Sequence, residues 1–358
     1  MTDASEMNKE LPGALRRPDF TPDNCMGLIR YFLSIGVIVA HFNIIFGTSY
    51  YFPISSFNAV GAFFSLSGFL VLHSYLKFPS VKNFLKGRAR RILPPYCFIV
   101  LLCAFSFSAL SSLNLYDYFT APQFYQYLVA NLTFLNFLQP DLPGVFSHSP
   151  ETAVNASLWT LKIEWTMYLS IPLFVVLAVW LVRKKGRGWP NILIIAIYLF
   201  SLAYRIFFLR LYDQTDNGLF EILSRQFLGQ FMYFYSGVLI YFNFGLILKW
   251  RLPIILSSAL ITLIGIWIPY YSITIGPFIL SLLTLSVCSI PGVLKVFNRN
   301  NISYEMYLFH FPVIQVIYYF FGQNNPQFTF ILSLCSIIAL SAFCWFVIDR
   351  RFLPKKFI

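Results

Sequence analysis

Long apolar stretches, separated by short clusters of basic residues, dominate this chain of 358 residues. Charged residues make up 11% of the chain, whereas soluble domains contain about 25%. A segment that lies in lipid must satisfy its backbone hydrogen bonds internally, so a run of about 20 apolar residues predicts a membrane-spanning helix. The pattern therefore predicts an all-α integral membrane protein.

The apolar stretches predict about ten transmembrane helices. They are expected over 26–48, 58–76, 95–113, 158–182, 189–209, 219–242, 252–271, 273–291, 302–321 and 327–348. Most basic residues then fall on one side of the membrane, which favours cytoplasmic termini and cytoplasmic loops at 77–93 and 183–188. Residues 114–157 are expected outside, and the piece at 124–138 is too short to cross, which predicts a re-entrant or interfacial segment.

The ends of the chain are polar or basic. Residues 1–22 are predicted to form a disordered cytoplasmic leader, residues 23–350 a single membrane domain, and residues 351–358 a basic cytoplasmic tail. No cleavable signal sequence is apparent, so the first apolar stretch is expected to remain as a helix in the plasma (inner) membrane. The net charge of +12 reflects membrane topology, and no nucleic-acid partner is predicted. The six cysteines lack metal-ligand spacing, so no metal site is predicted either.

The first apolar stretch carries two polar side chains, Arg30 and His41. Ionisable groups inside a membrane helix are costly and normally face a protein interior or a wet cavity. Eleven residues are close to three helical turns, so both side chains lie on one face, about 16 Å apart. Separately, each residue has a simpler explanation: an arginine that reaches the membrane surface and a histidine that bonds to a neighbouring helix. Together they favour a functional site.

Two further groups of residues add chemistry to this pattern. Arg88 and Arg91 share a helical face and could bind phosphate through their guanidinium groups, although topology and lipid headgroup contacts explain the pair better when it is taken alone. Glu164 is expected at a depth similar to that of His41. Ser65 and Ser67 lie near the middle of the second span, without the pattern of a nucleophile elbow.

This arrangement places a basic anion site at the inner face and a histidine–carboxylate pair deeper in the membrane. It suits a reaction between a phosphate-bearing cytoplasmic donor and an acceptor reached from the membrane or from outside. His41 would act as general base, with Glu164 orienting it. Alternatives are a transporter or flippase for a lipid-linked sugar or small anion, which the lack of an inverted repeat disfavours, and a scaffold without chemistry.

Five segments together resemble the acyltransferase-3 family of polytopic membrane acyltransferases, which O-acylate bacterial surface polysaccharides and other extracytoplasmic glycans. They are LIRYFLSIGVIVAHF, GAFFSLSGFL, GRARRILPPY, SLWTLKIEWTMYL and SYEMYLFHFPV. The segments span most of the chain in the family's order. Two departures are visible: Asp349 stands where the family often has a glutamate, and no aspartate lies close before Arg30.

The resemblance implies an O-acetyltransferase with acyl-CoA, most commonly acetyl-CoA, as co-substrate. The acceptor is expected to be a hydroxyl of a glycan or lipid-linked saccharide. The resemblance also implies His41 as the catalytic histidine, with Arg30, Arg88 and Arg91 in catalysis or donor binding. The residues expected to contact the acceptor are Ser65, Ser67, Trp159, Tyr168, Arg205 and Arg225. His310 is expected to pack, or to form a hydrogen bond between helices.

Overall fold

The computed structural model describes residues 24–77, 79–292 and 295–352, and within them all regular secondary structure is helical. The predicted leader at 1–22, and the tail beyond Phe352, lie outside the described residues. The α-helices are α1 Met26–Phe46, α2 Ser56–Lys77, α3 Val81–Ser106, α4 Leu115–Thr120, α5 Pro122–Leu132, α6 Trp159–Lys185, α7 Trp189–Thr215, α8 Gly218–Ser224, α9 Phe227–Phe242, α10 Phe244–Lys249, α11 Arg251–Gly265, α12 Gly276–Cys288, α13 Ser303–Phe321, α14 Pro326–Cys344 and α15 Arg350–Phe352.

Six helical segments in the described residues are long and apolar enough to cross a membrane. They are Met26–Phe46, Ser56–Lys77, Val81–Leu110, Ala156–Lys185, Trp189–Thr215 and Pro326–Phe352. The chain is thus a multi-pass membrane protein. The other four predicted spans correspond to α9, α11, α12 and α13, which are shorter or less apolar. Ten crossings with cytoplasmic termini therefore stay a prediction.

Two predicted boundaries are wrong. The segment at 77–93 was predicted as a loop, but α3 begins at Val81 and continues through Pro94 and Pro95. Proline usually ends or kinks a helix because it lacks a backbone N–H, which is why the sequence suggested a start at residue 95. The span predicted at 219–242 consists of two helices, α8 and α9, separated at Arg225 and Gln226.

The chain divides into two compact units. The first unit holds Val60–Lys86, Ile163–Asn298 and the described part of Met1–Ile29. The second unit holds Arg30–Ala59, Gly87–Lys162 and the described part of Arg299–Ile358.

In the first unit, α2 and α9 approach each other closely at two glycines. A Cβ atom on Gly68 would lie 2.0 Å from the carbonyl oxygen of Phe234, and one on Gly237 would lie 2.0 Å from that of Ser65. Real Cβ atoms never come so close to another backbone, so neither position has room for a larger residue. Small residues such as Gly68 thus let the two helices approach closely, as is typical of membrane helix packing.

Introducing valine at Gly68 or Gly237 should destabilise the protein. The added methyl groups would force α2 and α9 apart, and overpacking of this kind costs about 1–3 kcal/mol or more. Gly245→Val is the matched control, because nothing lies within 4 Å of a Cβ at that position. Thermal unfolding in detergent measures the effect, and equal midpoints for Gly68→Val and Gly245→Val would contradict the packing described here.

In the second unit, α1 and α13 run side by side in the same direction. The hydroxyl of Tyr31 accepts a hydrogen bond from the backbone N–H of Ile302 at 3.0 Å. One turn further along α1, the hydroxyl of Ser34 donates to the carbonyl of Ser303 at 3.1 Å. The unit's core is rich in aromatic residues, and its fully or nearly fully buried rings include Phe42, Tyr96, Tyr118, Tyr127, Phe309 and Phe311.

Candidate active site

The parallel course of α1 and α13 brings two histidines together. Nε2 of His310 lies 2.9 Å from Nδ1 of His41, and the ring centroids are 4.9 Å apart. His310 is fully buried, whereas His41 is partly exposed. The ring of Phe311 meets His41 edge-on at a centroid distance of 5.3 Å. The expected interhelical hydrogen bond of His310 is therefore present, and its partner is the predicted catalytic histidine.

The local backbone of α13 explains how His310 is held. Pro312 has no N–H, so the carbonyl of Leu308, four residues earlier, lacks its usual helical donor. The side-chain amide of Asn155 donates to that carbonyl at 2.9 Å. One residue earlier in α13, the carbonyl of Tyr307 lies 2.7 Å from Nδ1 of His310. The ring is thus fixed on one side by the backbone of its own helix.

A second cluster lies nearer the start of α13. Nη1 of Arg91 is 3.4 Å from Glu305 and 3.1 Å from Asp349, and these two carboxyl side chains are 0% and 1% exposed. The guanidinium group also lies over the rings of Tyr304 and Trp345, each 5.2 Å from the centroid. We call Arg91, Glu305 and Asp349 the acid–arginine cluster.

The histidine pair and the acid–arginine cluster lie at different levels of the second unit. Glu305 precedes His310 by five residues, which corresponds to about 7.5 Å along α13. On α1, Arg30 precedes His41 by about 16 Å in the same direction. Arg30 and Arg91 therefore both lie near the N-terminal ends of α1 and α13. The histidine pair lies further toward the C-terminal ends of these helices.

Arg88 and Arg91 are both on α3 and both partly buried. The contacts of Arg91 with two carboxyl groups give it a structural role in addition to the donor-binding role predicted from sequence. Donor binding by either arginine stays a prediction.

Glu164 belongs to the first unit, where three of the predicted site residues meet. The hydroxyl of Ser67 donates to Oε1 of Glu164 at 2.8 Å, and the hydroxyl of Tyr168 donates to the same oxygen. Glu164 is partly exposed, and Tyr168 lies one turn beyond it on α6. Orientation of His41 by Glu164 stays a prediction, since the hydrogen bonds described for Glu164 involve Ser67 and Tyr168.

The other predicted acceptor contacts have varied surroundings. Ser65 is fully buried where α2 packs on α9. Arg205 is buried on α7, with Nη1 3.8 Å from the sulfur of Met232. Arg225 forms an exposed ion pair with Glu221, four residues earlier. Trp159 is partly exposed at the start of α6.

Sequence reasoning missed the partnership of His310 with His41 and that of Glu305 with Arg91. A signal was present, because Glu305 and His310 are both ionisable residues within one apolar segment, SYEMYLFHFPV. Such residues mark functional sites in membrane helices more often than not.

Comparison with known proteins identifies relatives along almost the whole chain. The sequence model of the acyltransferase-3 acyltransferase domain matches residues 23–350. An O-acetyl transferase of Shigella phage Sf6 is 24% identical over 355 residues, which cover 93% of this chain and 97% of that protein. Nodulation protein 10 of Rhizobium leguminosarum bv. viciae is 24% identical over 353 residues, covering 91% of this chain and 92% of that protein. No solved structure matches the chain significantly.

Proposed function

Because this chain belongs to the acyltransferase-3 family, we propose that it transfers an acetyl group from cytoplasmic acetyl-CoA to a hydroxyl of a cell-surface or lipid-linked glycan. The observation that carries the proposal is the histidine pair, with partly exposed His41, in the unit that also holds the three arginines. The name of the phage relative, an O-acetyl transferase, supports acetyl as the group transferred. A cytoplasmic donor and an external acceptor require a location in the plasma (inner) membrane.

The donor would bind with its phosphates near Arg30, Arg88 and Arg91. Guanidinium groups bind phosphate through paired, charge-assisted hydrogen bonds. The thioester of acetyl-CoA lies at the end of a long flexible arm, remote from these phosphates. If the CoA phosphates bind near these arginines, the flexible arm that carries the thioester can extend toward the histidine pair of the same unit.

At the histidine pair, His41 would act as general base. It takes the proton of the acceptor hydroxyl as the hydroxyl oxygen attacks the thioester carbonyl carbon. The new carbon–oxygen bond forms and the carbon–sulfur bond breaks, releasing the thiolate of CoA. The protonated His41 then returns its proton to that thiolate, so the reaction consumes no net proton. His41 is suited to this role because a neutral imidazole can accept a proton near neutral pH.

The acceptor glycan would contact the cluster formed by Ser67, Glu164 and Tyr168. A carboxylate offers about four lone-pair positions, so Glu164 can accept hydrogen bonds from sugar hydroxyls besides those from Ser67 and Tyr168. The remaining acceptor contacts proposed from the sequence are Ser65, Trp159, Arg205 and Arg225.

We expect Glu164→Gln to raise the KM for the glycan by about 10- to 100-fold, because a hydrogen bond to a charged group is worth about 1.5–3 kcal/mol. The KM for acetyl-CoA should change little. Asp213→Asn is the matched control, since Asp213 is an exposed acid near the end of α7 and is not among the proposed site residues. Steady-state kinetics with each substrate varied in turn make the test. An effect confined to acetyl-CoA would contradict the acceptor role.

Reconstitution tests the proposed function. The purified protein in lipid vesicles, given radiolabelled acetyl-CoA and glycan from cells that lack the protein, should produce labelled glycan. Mild alkali should release that label as acetate, because an O-acetyl ester is hydrolysed under these conditions. Glycan that crosses the vesicle membrane without gaining label would overturn the proposal and favour a transporter.

A further inference from the structure

We propose that His310 is a positioning residue that fixes the tautomer of His41, so that Nε2 of His41 is the atom that accepts the acceptor's proton. The inference rests on the proposed function, because it assigns an atom to the general base. It comes from the direction of two consecutive hydrogen bonds: Nδ1 of His310 donates to the carbonyl of Tyr307, and Nδ1 of His41 donates to Nε2 of His310.

The first hydrogen bond determines the protonation of His310. The carbonyl oxygen of Tyr307 can only accept a hydrogen bond, so Nδ1 of His310, 2.7 Å away, must carry a proton. A neutral imidazole has a proton on one nitrogen only, which leaves Nε2 of His310 as an acceptor. Burial of His310 at 0% exposure favours this neutral form over a cation.

The second hydrogen bond then determines the protonation of His41. Nε2 of His310 lies 2.9 Å from Nδ1 of His41 and has no proton to donate. Nδ1 of His41 must therefore be the donor, and Nε2 of a neutral His41 retains its lone pair. This nitrogen is the one on the opposite side of the ring from His310, and His41 is the partly exposed member of the pair.

The surroundings of α13 hold His310 rigidly in this role. Asn155 binds the Leu308 carbonyl that Pro312 leaves without a helical donor. The Tyr307 hydroxyl lies 2.8 Å from the hydroxyl of Thr160 and donates a hydrogen bond to the carbonyl of Ser157 at 3.1 Å. His310 itself is too deeply buried to touch a substrate, so it acts through His41.

The same contact stabilises the charge that forms during the reaction. When Nε2 of His41 accepts a proton, the resulting imidazolium still donates from Nδ1 to His310. Hydrogen bonds from a charged donor are about twice as strong as neutral ones, so the contact strengthens as the proton arrives. A hydrogen bond that served only to join α1 and α13 would have no such effect on the chemical step.

Two variants separate the positioning role from a purely structural one. His310→Gln keeps an amide oxygen that can accept from His41 and an amide group that can donate to Tyr307. His310→Leu fills the space without an acceptor. We expect His310→Leu to lower kcat by about 10- to 100-fold, the usual cost of removing a group that orients a functional histidine. Its KM values should stay near wild type, and His310→Gln should recover most of the lost kcat.

Nuclear magnetic resonance of isotope-labelled histidine reads the tautomer directly. The chain has four histidines, so replacing His73 and His148 with glutamine leaves only the pair. We expect an unprotonated Nε2 on His41 in this background, and a mixture of tautomers once His310→Leu is added. His148, exposed on a loop, also provides the kinetic control His148→Leu.

A folded His310→Leu protein with wild-type kcat, or a His41 protonated at Nε2 and not at Nδ1, would overturn the inference. If His310→Leu fails to insert, the His310→Gln kinetics and the resonance of the wild-type pair still decide. If the wild-type protein transfers no acetyl group, the proposed function fails, whereas the tautomer measurement still tests the hydrogen-bond chain by itself.

Discussion

His41→Ala should abolish detectable glycan acetylation while leaving the protein inserted and folded. Removing a general base typically lowers the rate by about 10²–10⁴-fold, because the acceptor hydroxyl must then attack while still protonated. Folding should survive, since alanine makes α1 more apolar and His310 keeps its bond to Tyr307. The rate of labelled acetyl transfer by purified protein in vesicles measures the effect.

His73→Ala is the control for this experiment. His73 is also a histidine on a membrane helix, α2, but it lies in the first unit and contacts Tyr241 at 3.3 Å. We expect it to retain near-normal transfer. Inserted, folded His41→Ala protein with near-normal activity would show that His41 is not the base.

Arg91→Ala should strongly destabilise the protein, in contrast to Arg88→Ala. Removing Arg91 leaves the fully buried Glu305 and Asp349 without the cation beside them. Breaking a buried ion pair by deleting one partner costs about 3–5 kcal/mol. Arg88→Ala should instead raise the KM for acetyl-CoA by about 10- to 100-fold, because a charge-assisted bond is worth about 1.5–3 kcal/mol. Thermal unfolding in detergent and donor kinetics give the two readouts.

A double variant tests the cause of the Arg91 effect. Asp349→Asn removes one of the two buried carboxyl groups that face Arg91, so adding it to Arg91→Ala should restore part of the lost stability. The difference between the double variant and the sum of the single variants measures the coupling. Equal unfolding midpoints for Arg88→Ala and Arg91→Ala would contradict the assignment of Arg91 to the acid–arginine cluster.

The local part of the candidate site could be predicted from the sequence. The spacing of Arg30 and His41 has meaning as soon as the segment is helical, because side chains eleven residues apart share a face. The structure keeps both on the continuous helix α1. The contact between Glu164 and Tyr168 is local in the same way, since residues four apart on a helix are neighbours.

The contacts between distant segments could not be predicted in this way. His41 and His310 are 269 residues apart, and Arg91 and Asp349 are 258 apart. Such pairs depend on which helices pack together and at what height, which helical periodicity in a single segment does not determine. The start of α3 was misplaced for a different reason. Pro94 and Pro95 are unfavourable inside a helix, yet the helix continues through them.

Mass spectrometry of the surface glycan tests the central claim, acetyl transfer to a glycan hydroxyl with His41 as base, most directly. The glycan is isolated from cells that carry the wild-type protein, the His41→Ala variant or no protein, after confirming that both proteins reach the membrane in equal amounts. We predict alkali-labile acetyl groups on the glycan from wild-type cells, and none above background in the other two. Equal acetylation in wild-type and His41→Ala cells, or a glycan unchanged by the wild-type protein, would contradict the account.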